Sequence, residues 1–299
     1  MNMQNIITFL TIVESQSLSK ASEKLFVSQS TISTRLNSLE EELQTLLLKR
    51  QPGIKKIELT SKGDEFVMLA KQWIALEKDT TMWINKEPSH KLNVGSIDSL
   101  NTYVLTPLYK NILNENNTIS IDVTTHSSVQ LYNLVESHEI DLGLASRFIK
   151  NDSLISEPIF CENMVLISSM SNSNYGDFVH PNELNARNEI FNDWGPNFQI
   201  WHDFWWNPND NIKMKVDTAG LTLRFIDIPN TWAVVPYSVA QSFSNNTSIR
   251  ISKLEISPEK RIYYKVIHRN PKYSSIEPIK IFEKHLDDYI KNHSYLISV

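Results

Sequence analysis

The stretch "SLSKASEKLFVSQSTISTRLNSLEEEL" (Ser17–Leu43) carries the clearest pattern in the chain. Ser17 or Ser19 is placed to cap a short helix with Ala21, Leu25 and Leu18 on its inner side. "FVSQ" then makes a turn, and Ser28 is a good N-cap for a longer helix. In that helix Ile32, Leu36, Leu39 and Leu43 form one apolar stripe. At about 100° per residue, Ser30, Thr34 and Asn37 fall on the opposite face, with Ser33 on its flank. Small hydroxyl and amide side chains near a helix N-terminus can lie flat in a DNA major groove and hydrogen-bond base edges or phosphates. A plain three-helix bundle with a solvated polar face is the alternative.

Working outward, Ile6, Phe9, Leu10 and Val13 recur at helical spacing and supply a first helix. Downstream, "LLLKRQPGIKKIELTSKGDEF" (Leu46–Phe66) has the pattern of a helix end, a strand, a Pro-Gly turn, a second strand and a helix start. Lys49, Arg50, Lys55 and Lys56 on such a wing are suited to phosphate contacts. The 299-residue chain is acidic overall, with formal net charge −5. Residues 1–62 nevertheless hold 8 basic against 6 acidic side chains, leaving 21 against 28 for the remainder. A locally basic wing beside an uncharged face can bind a polyanion on an acidic chain.

These motifs, "S-L-x-x-A", "L-x-V-S-Q-S", "I-S-x-x-L-x-x-L-E-E-E-L" and "L-T-x-x-G" at Leu59–Gly63, resemble the N-terminal domain of LysR-type transcriptional regulators. The resemblance implies an all-α winged helix-turn-helix over residues 1–62 that binds double-stranded DNA. Ser28, Gln29, Ser30, Thr31, Ser33, Thr34, Asn37 and Ser38 would read or position, while Arg35, Lys49, Arg50, Lys55 and Lys56 would hold phosphate. Ser30 stands where the family usually carries Pro, and Gln44 where it carries Gly.

Residues 63–88 are predicted to be a linker. No Gly or Pro interrupts Asp64–Lys86, and Phe66, Leu69, Trp73, Leu76, Thr80 and Trp83 alternate at spacings of three and four, a heptad seam. Such a helix is about 35 Å long. Dimerisation suits it, because helix-turn-helix proteins read paired half-sites. A lone amphipathic helix packed on its own domain is the alternative. "NKEPSHK" (Asn85–Lys91) is the expected hinge.

The body, 89–299, alternates strand and helix: "KLNVGSI", a helix from about Asn101, "ISIDVTTH", "SVQLYNLVESHE" and "IDLGLA". That βαβαβ order argues for a parallel sheet with helices on its faces, and ligands at the strand C-termini. The LysR resemblance continues in "V-G-S", "IDLGLA-S-R", "V-L-I" and Pro236, and implies a two-lobed α/β, periplasmic-binding-protein-like, effector-binding domain. Lobe one would be 91–161 plus 266–299, and lobe two 162–265. The family commonly carries two glycines where Pro229 and Thr231 stand, in a chain with only 7 Gly. Carried over by position, Ser99 and Ser128 are the leading effector contacts, with Ser96, Ser127, Asn192, Trp194 and Thr218 beside them. Each serine also fits a plain helix cap. A Ser-rich cleft at helix N-termini suits a small carboxylate, with Arg147 as counter-charge. Trp194, Trp201, Trp205 and Trp206 floor a pocket or pack a core or subunit interface.

No GxSxG, HExxH, P-loop or GxGxxG motif occurs, and His202–Asp203 lacks further ligands at metal spacing. No enzyme, metal or cofactor is therefore expected; the rival is a two-lobed binding protein or enzyme with a helical interaction domain. A single cysteine, Cys161, and the lack of a leader or an 18-residue apolar run point to a cytoplasmic protein without membrane contact. The expected partners are promoter DNA bearing an interrupted palindrome, a second copy as homodimer or homotetramer, a small-molecule effector, and RNA polymerase.

Overall fold

Side chains start the N-terminal helices. Asn2 Oδ1 accepts from Gln4 N–H, Ser17 Oγ from Lys20 N–H and Ser28 Oγ from Thr31 N–H. They cap α1 (Met3–Ser15), α2 (Leu18–Leu25) and α3 (Gln29–Glu42). The computed structural model describes residues 2–49, 57–85, 90–116, 118–171, 175–207, 212–243 and 248–299. Ile6, Phe9 and Ile12 of α1 pack on Ala21 and on Ile32, Leu36 and Leu39 of the α3 stripe; Leu43 lies at the margin of this core. Glu40 is buried in it, where its Oε1 accepts from the N–H groups of Leu47 (2.8 Å) and Leu48 (3.2 Å). That carboxylate fixes where the wing begins.

The wing pairs β1 (Leu48–Lys49) antiparallel with β2 (Glu58–Leu59). Its expected Pro-Gly turn, with Arg50, Lys55 and Lys56, lies outside the described residues. Two positions explain the family pattern sterically. A Cβ on Gly63 would fall 2.0 Å from the Leu47 carbonyl oxygen, so only glycine permits this approach. Gln44, where the family uses glycine, takes a left-handed φ of 53°. We expect Gln44→Gly to raise the stability of this domain by up to about 1 kcal/mol, measured by urea unfolding.

The linker helix α4 spans Ser61–Asn85, starting three residues before the expected Asp64. With the helices above it belongs to one compact unit, Met1–Pro88 together with Glu136–Glu139 and Pro271–Ser274; the remaining residues form a second.

In the second unit follow β3 (His90–Ser96), α5 (Asp98–Leu100), a π-helical turn at Asn101–Leu105, α6 (Thr106–Glu115), β4 (Ile119–Thr125), α7 (Ser128–Glu136) and β5 (Leu142–Ala145). Then come β6 (Leu154–Glu162), β7 (Met164–Ser169), β8 (Phe178–Val179), β9 (Ile190–Asn192), α8 (Pro196–Trp205), β10 (Met214–Val216) and α9 (Ala219–Phe225). The chain ends with β11 (Trp232–Pro236), α10 (Tyr237–Gln241), β12 (Ile249–Leu254), β13 (Arg261–His268), α11 (Ile276–Asn292) and β14 (Ile297–Ser298).

Lobe one is a six-stranded sheet in the order β14-β6-β13-β5-β3-β4. β3 pairs parallel with β4 and β5, as the βαβαβ pattern predicts, whereas β13 runs antiparallel to β5 and β6. One boundary needs correction. β13 is in register with this sheet from Arg261, opposite Glu162, so the chain returns to lobe one at 261 and not at 266. Lobe two holds a four-stranded sheet, β11-β7-β12-β8, and the pair β10-β9. Between Pro229 and Thr231, the positions where the family uses glycines, Asn230 takes φ 66°, a conformation Asn tolerates, and Thr231 Oγ1 donates to the Ile226 and Ile228 carbonyls. No described helix is long and apolar enough to cross a membrane.

Candidate DNA interface and ligand cleft

On α3 the side chains of Gln29, Ser30, Thr34, Asn37 and Ser38, with Ser28 at the cap, are exposed, and Thr31 and Ser33 are half-buried. Ser28 Oγ lies 2.7 Å from Ser30 Oγ and 2.8 Å from Thr31 Oγ1, so these three hydroxyls also build the cap. Thr34 Oγ1 donates to the Ser30 carbonyl at 3.0 Å. Arg35 leans away from this face, its Nη1 donating to Thr8 Oγ1 at 3.5 Å. Lys49 is exposed and pairs with Glu58 across the wing at 3.3 Å.

Five of the six predicted seam residues share one open edge of α4: Leu69 (54% exposed), Trp73 (45%), Leu76 (66%) and Trp83 (69%), with Thr80 exposed among them. Phe66 does not join them. It is buried in the core of the first unit, 5.5 Å from the Phe9 ring. Its apolar character serves the helix-turn-helix core instead of a partner.

Between the lobes, a cleft of about 1000 Å³ is walled by the N-terminal ends of α5, α7 and α8, the end of β9 and the start of β13. Ser99, Ser127, Ser128, Arg147, Asn192 and Trp194 line it. Two predicted contacts do not. Ser96 is fully buried behind the wall and donates to the Leu144 carbonyl. Thr218 caps α9, accepting from Leu221 N–H, while its neighbours Asp217 and Ala219 face the cleft. Ser127 holds Gln130 in a local cap, and Ser128 Oγ accepts from Ser146 N–H at 3.2 Å. Arg147 is exposed at the rim.

Arg261, missed in the sequence, stands at the middle of this arrangement. Its guanidinium carbon lies 4.9 Å from the Trp194 ring centre and 5.7 Å from that of Tyr263. Nη2 donates to Ser146 Oγ at 3.0 Å, whereas Nε and Nη1 are buried and meet no partner among the described residues. Asn192 Nδ2 is in the same condition. Nothing in "RIYYK" marks Arg261 beforehand; only its register opposite Glu162 at the lobe crossing sets it apart. Glu162 is fully buried, accepting from Tyr263 Oη, Ser238 N–H and Ser238 Oγ. Burial pushes its pKa up, with those hydrogen bonds and Arg261 pulling the other way. Gly195, with φ 113° and open space where a Cβ would stand, lets the chain turn from β9 into α8 at the cleft wall.

The tryptophan cluster divides. Trp194 faces the cleft and donates Nε1–H to the Val234 carbonyl at 2.7 Å. Trp201, Trp205 and Trp206 pack into the lobe-two core, with Trp206 5.5 Å from Trp201 and 5.1 Å from Trp232.

His202 lies in that core as well, its Nε2 2.9 Å from the buried Glu189 carboxylate. Burial lowers the histidine pKa, but the hydrogen bonds and charges of Glu189 and Asp203 outweigh it and leave it raised above 6.5; burial likewise raises Glu189. Both groups therefore bind protons more readily folded than unfolded. The resulting stability is fully present below the ordinary pKa values and is lost as pH rises through the raised ones. We expect the thermal midpoint of the natural chain to fall, relative to that of His202→Gln, as pH rises above 6.5. Parallel pH profiles of the two proteins would contradict this.

These features define a winged helix-turn-helix unit carried with a two-lobed, ligand-receiving α/β unit. Residues 3–64 match the family described as bacterial regulatory helix-turn-helix protein, lysR family, and residues 85–275 match the LysR substrate binding domain. The regulator CysL of Bacillus subtilis (strain 168) is 28% identical over 162 residues, covering 53% of this chain and 54% of CysL. CitR of the same organism is 23% identical over 256 residues, 82% of this chain and 86% of CitR. A full-length OxyR variant from Pseudomonas aeruginosa shares the fold with TM-score 0.70 at 17% identity, over 99% of this chain and 96% of that one. CbnR in complex with its target DNA gives 0.67 at 19% identity, over 97% and 100%. The chain belongs to the LysR family and is a DNA-binding transcriptional regulator with a substrate-binding domain.

Proposed function

We propose that the protein works as a cytoplasmic homodimer, or a tetramer built from two such dimers, joined along the α4 edge. Each dimer lays two α3 helices in successive major grooves of an interrupted palindrome. Gln29, Ser30, Ser33, Thr34 and Asn37 read or position, Ser28, Thr31 and Ser38 shape the helix start and flank, and Lys49 with Arg50, Lys55 and Lys56 holds phosphate. Arg35 reaches phosphate only by leaving Thr8. The observation that carries this reading is the open apolar edge Leu69-Trp73-Leu76-Trp83, which water disfavours and a second copy would cover. Likeness in fold to CbnR bound to its target DNA supports the docking mode.

A small-molecule effector enters the cleft, contacts Ser99, Ser128, Asn192 and Trp194, and favours one degree of lobe closure. It shifts the spacing of the DNA-binding heads only as far as its affinity for the two states differs. Contact with RNA polymerase would follow at the promoter. The test is binding to duplexes carrying one or two half-sites. Two half-sites spaced by whole helical turns should bind far more tightly than one, and equal affinity would sink the dimeric reading.

A further inference from the structure

We propose that Phe26, in the turn between α2 and α3, contacts DNA and packs its ring on a thymine methyl at the margin of each half-site. This rests on the reading of α3 as the groove helix, and adds an apolar contact to a face of hydroxyls and amides. Three observations carry it. Phe26 is 94% exposed, more than any other large apolar side chain among the described residues. Its backbone is left-handed, with φ 54°, a conformation that at a helix end suits Gly or Asn and penalises a bulky side chain. The third observation is its place. Phe26 stands two residues before Ser28, the cap of α3, so its Cα lies within about 7 Å of the start of that helix, where Gln29 and Ser30 are exposed.

The local fold sends the ring outward. Leu25 and Val27 on either side pack on the helix-turn-helix core, and Val27 N–H donates to the Ser22 carbonyl at 3.1 Å, which closes α2. A small or polar residue would make that turn at less cost, because an exposed ring gains nothing from burial and the left-handed backbone strains it. Strain and exposure at one residue of a DNA-binding unit imply a surface that covers it. In a helix-turn-helix the first helix crosses the DNA backbone while the N-terminal residues of the second meet base edges, so the turn joining them lies over the margin of the major groove. The apolar group that base edges present there is the thymine methyl, and phenylalanine is among the side chains that contact it.

The test uses the full chain and fluorescence anisotropy on its own upstream duplex, made once with thymidine and once with deoxyuridine, which removes the methyl groups and keeps the pairing. Phe26→Asn should weaken binding to the thymidine duplex roughly 10-fold or more, since the contact is lost at both half-sites, while its urea midpoint stays level or rises. Phe26→Tyr should keep most of the affinity. Deoxyuridine should cost the natural chain several-fold more affinity than it costs Phe26→Asn, because the variant lacks the ring that meets the methyl. Additive effects of the two changes would overturn the proposal. So would unchanged affinity in Phe26→Asn, including a variant that binds DNA normally but no longer regulates, which would give the ring to a protein partner. A urea midpoint that falls together with affinity would make the ring a structural element and overturn the proposal as well. Ser33→Ala/Thr34→Ala is measured beside these variants. If it loses selectivity for upstream over random duplex while Phe26→Asn binds like the natural chain, α3 keeps its role and Phe26 has none. If neither variant alters binding, the groove-helix reading fails too.

Discussion

Thr34→Glu should reduce affinity for the target duplex by roughly 100-fold or more while leaving the fold intact. Thr34 is exposed at the middle of the α3 face proposed to read DNA, and its hydroxyl donates to the Ser30 carbonyl one turn back. Glutamate is a good helix former, so the substitution costs the helix little. In the groove, however, it places a carboxylate among phosphates and removes a hydroxyl oxygen free to accept from a base edge while its proton stays on the Ser30 carbonyl. A base-edge contact is worth about 1–3 kcal/mol, and a dimer loses it at both half-sites. Electrophoretic mobility shift against the target duplex measures the loss, with circular dichroism as the control. Unchanged affinity would mean that α3 does not present this face to DNA.

Leu76→Glu should turn the proposed α4-joined dimer into a monomer at micromolar concentration. Leu76 is 66% exposed on the α4 edge between Trp73 and Trp83. Covering a leucine fully contributes about 1.5–3 kcal/mol, and a two-fold axis makes that contribution twice. The variant also places one carboxylate from each copy in an apolar seam, so the dissociation constant should rise at least ~100-fold. Sedimentation equilibrium reads the change directly. The same substitution at Phe66 would confuse the result, because Phe66 belongs to the core beneath α1 and its loss would unfold the domain.

Where side-chain chemistry repeats at a fixed period, the sequence is legible. The α3 stripe, the caps at Ser17 and Ser28 and the βαβαβ alternation all follow from local rules, and the fold has them. Phe66 departs from the expected seam because a heptad pattern does not say whether a partner helix or the helix's own domain fills its first position. The lobe boundary moves from 266 to 261 because a strand's partners are non-local; "RIYYKVIH" pairs with β6 and β5, roughly a hundred residues earlier in the chain. Arg261 is illegible for the same reason. Its importance comes from what surrounds it, Trp194 from one lobe and Ser146 from the other, and from two nitrogens left without partners. Glu40 shows the reverse case: a residue of the "L-E-E-E-L" motif that looks like part of a solvated charge run holds the wing through Leu47 and Leu48. Gln44 and Asn230 mark turns built without the family's glycine pattern, at left-handed φ values.

The most direct measurement of the central claim is fluorescence anisotropy of the intact protein on its own upstream DNA and on a random duplex, across a series of salt concentrations. A sequence-reading dimer with basic wings should bind the upstream duplex selectively, with affinity falling steeply as salt rises. That selectivity should be lost in the double variant Ser33→Ala/Thr34→Ala. Equal and weak binding to both duplexes, or selectivity untouched by the double variant, would contradict the assignment of α3 as the reading helix.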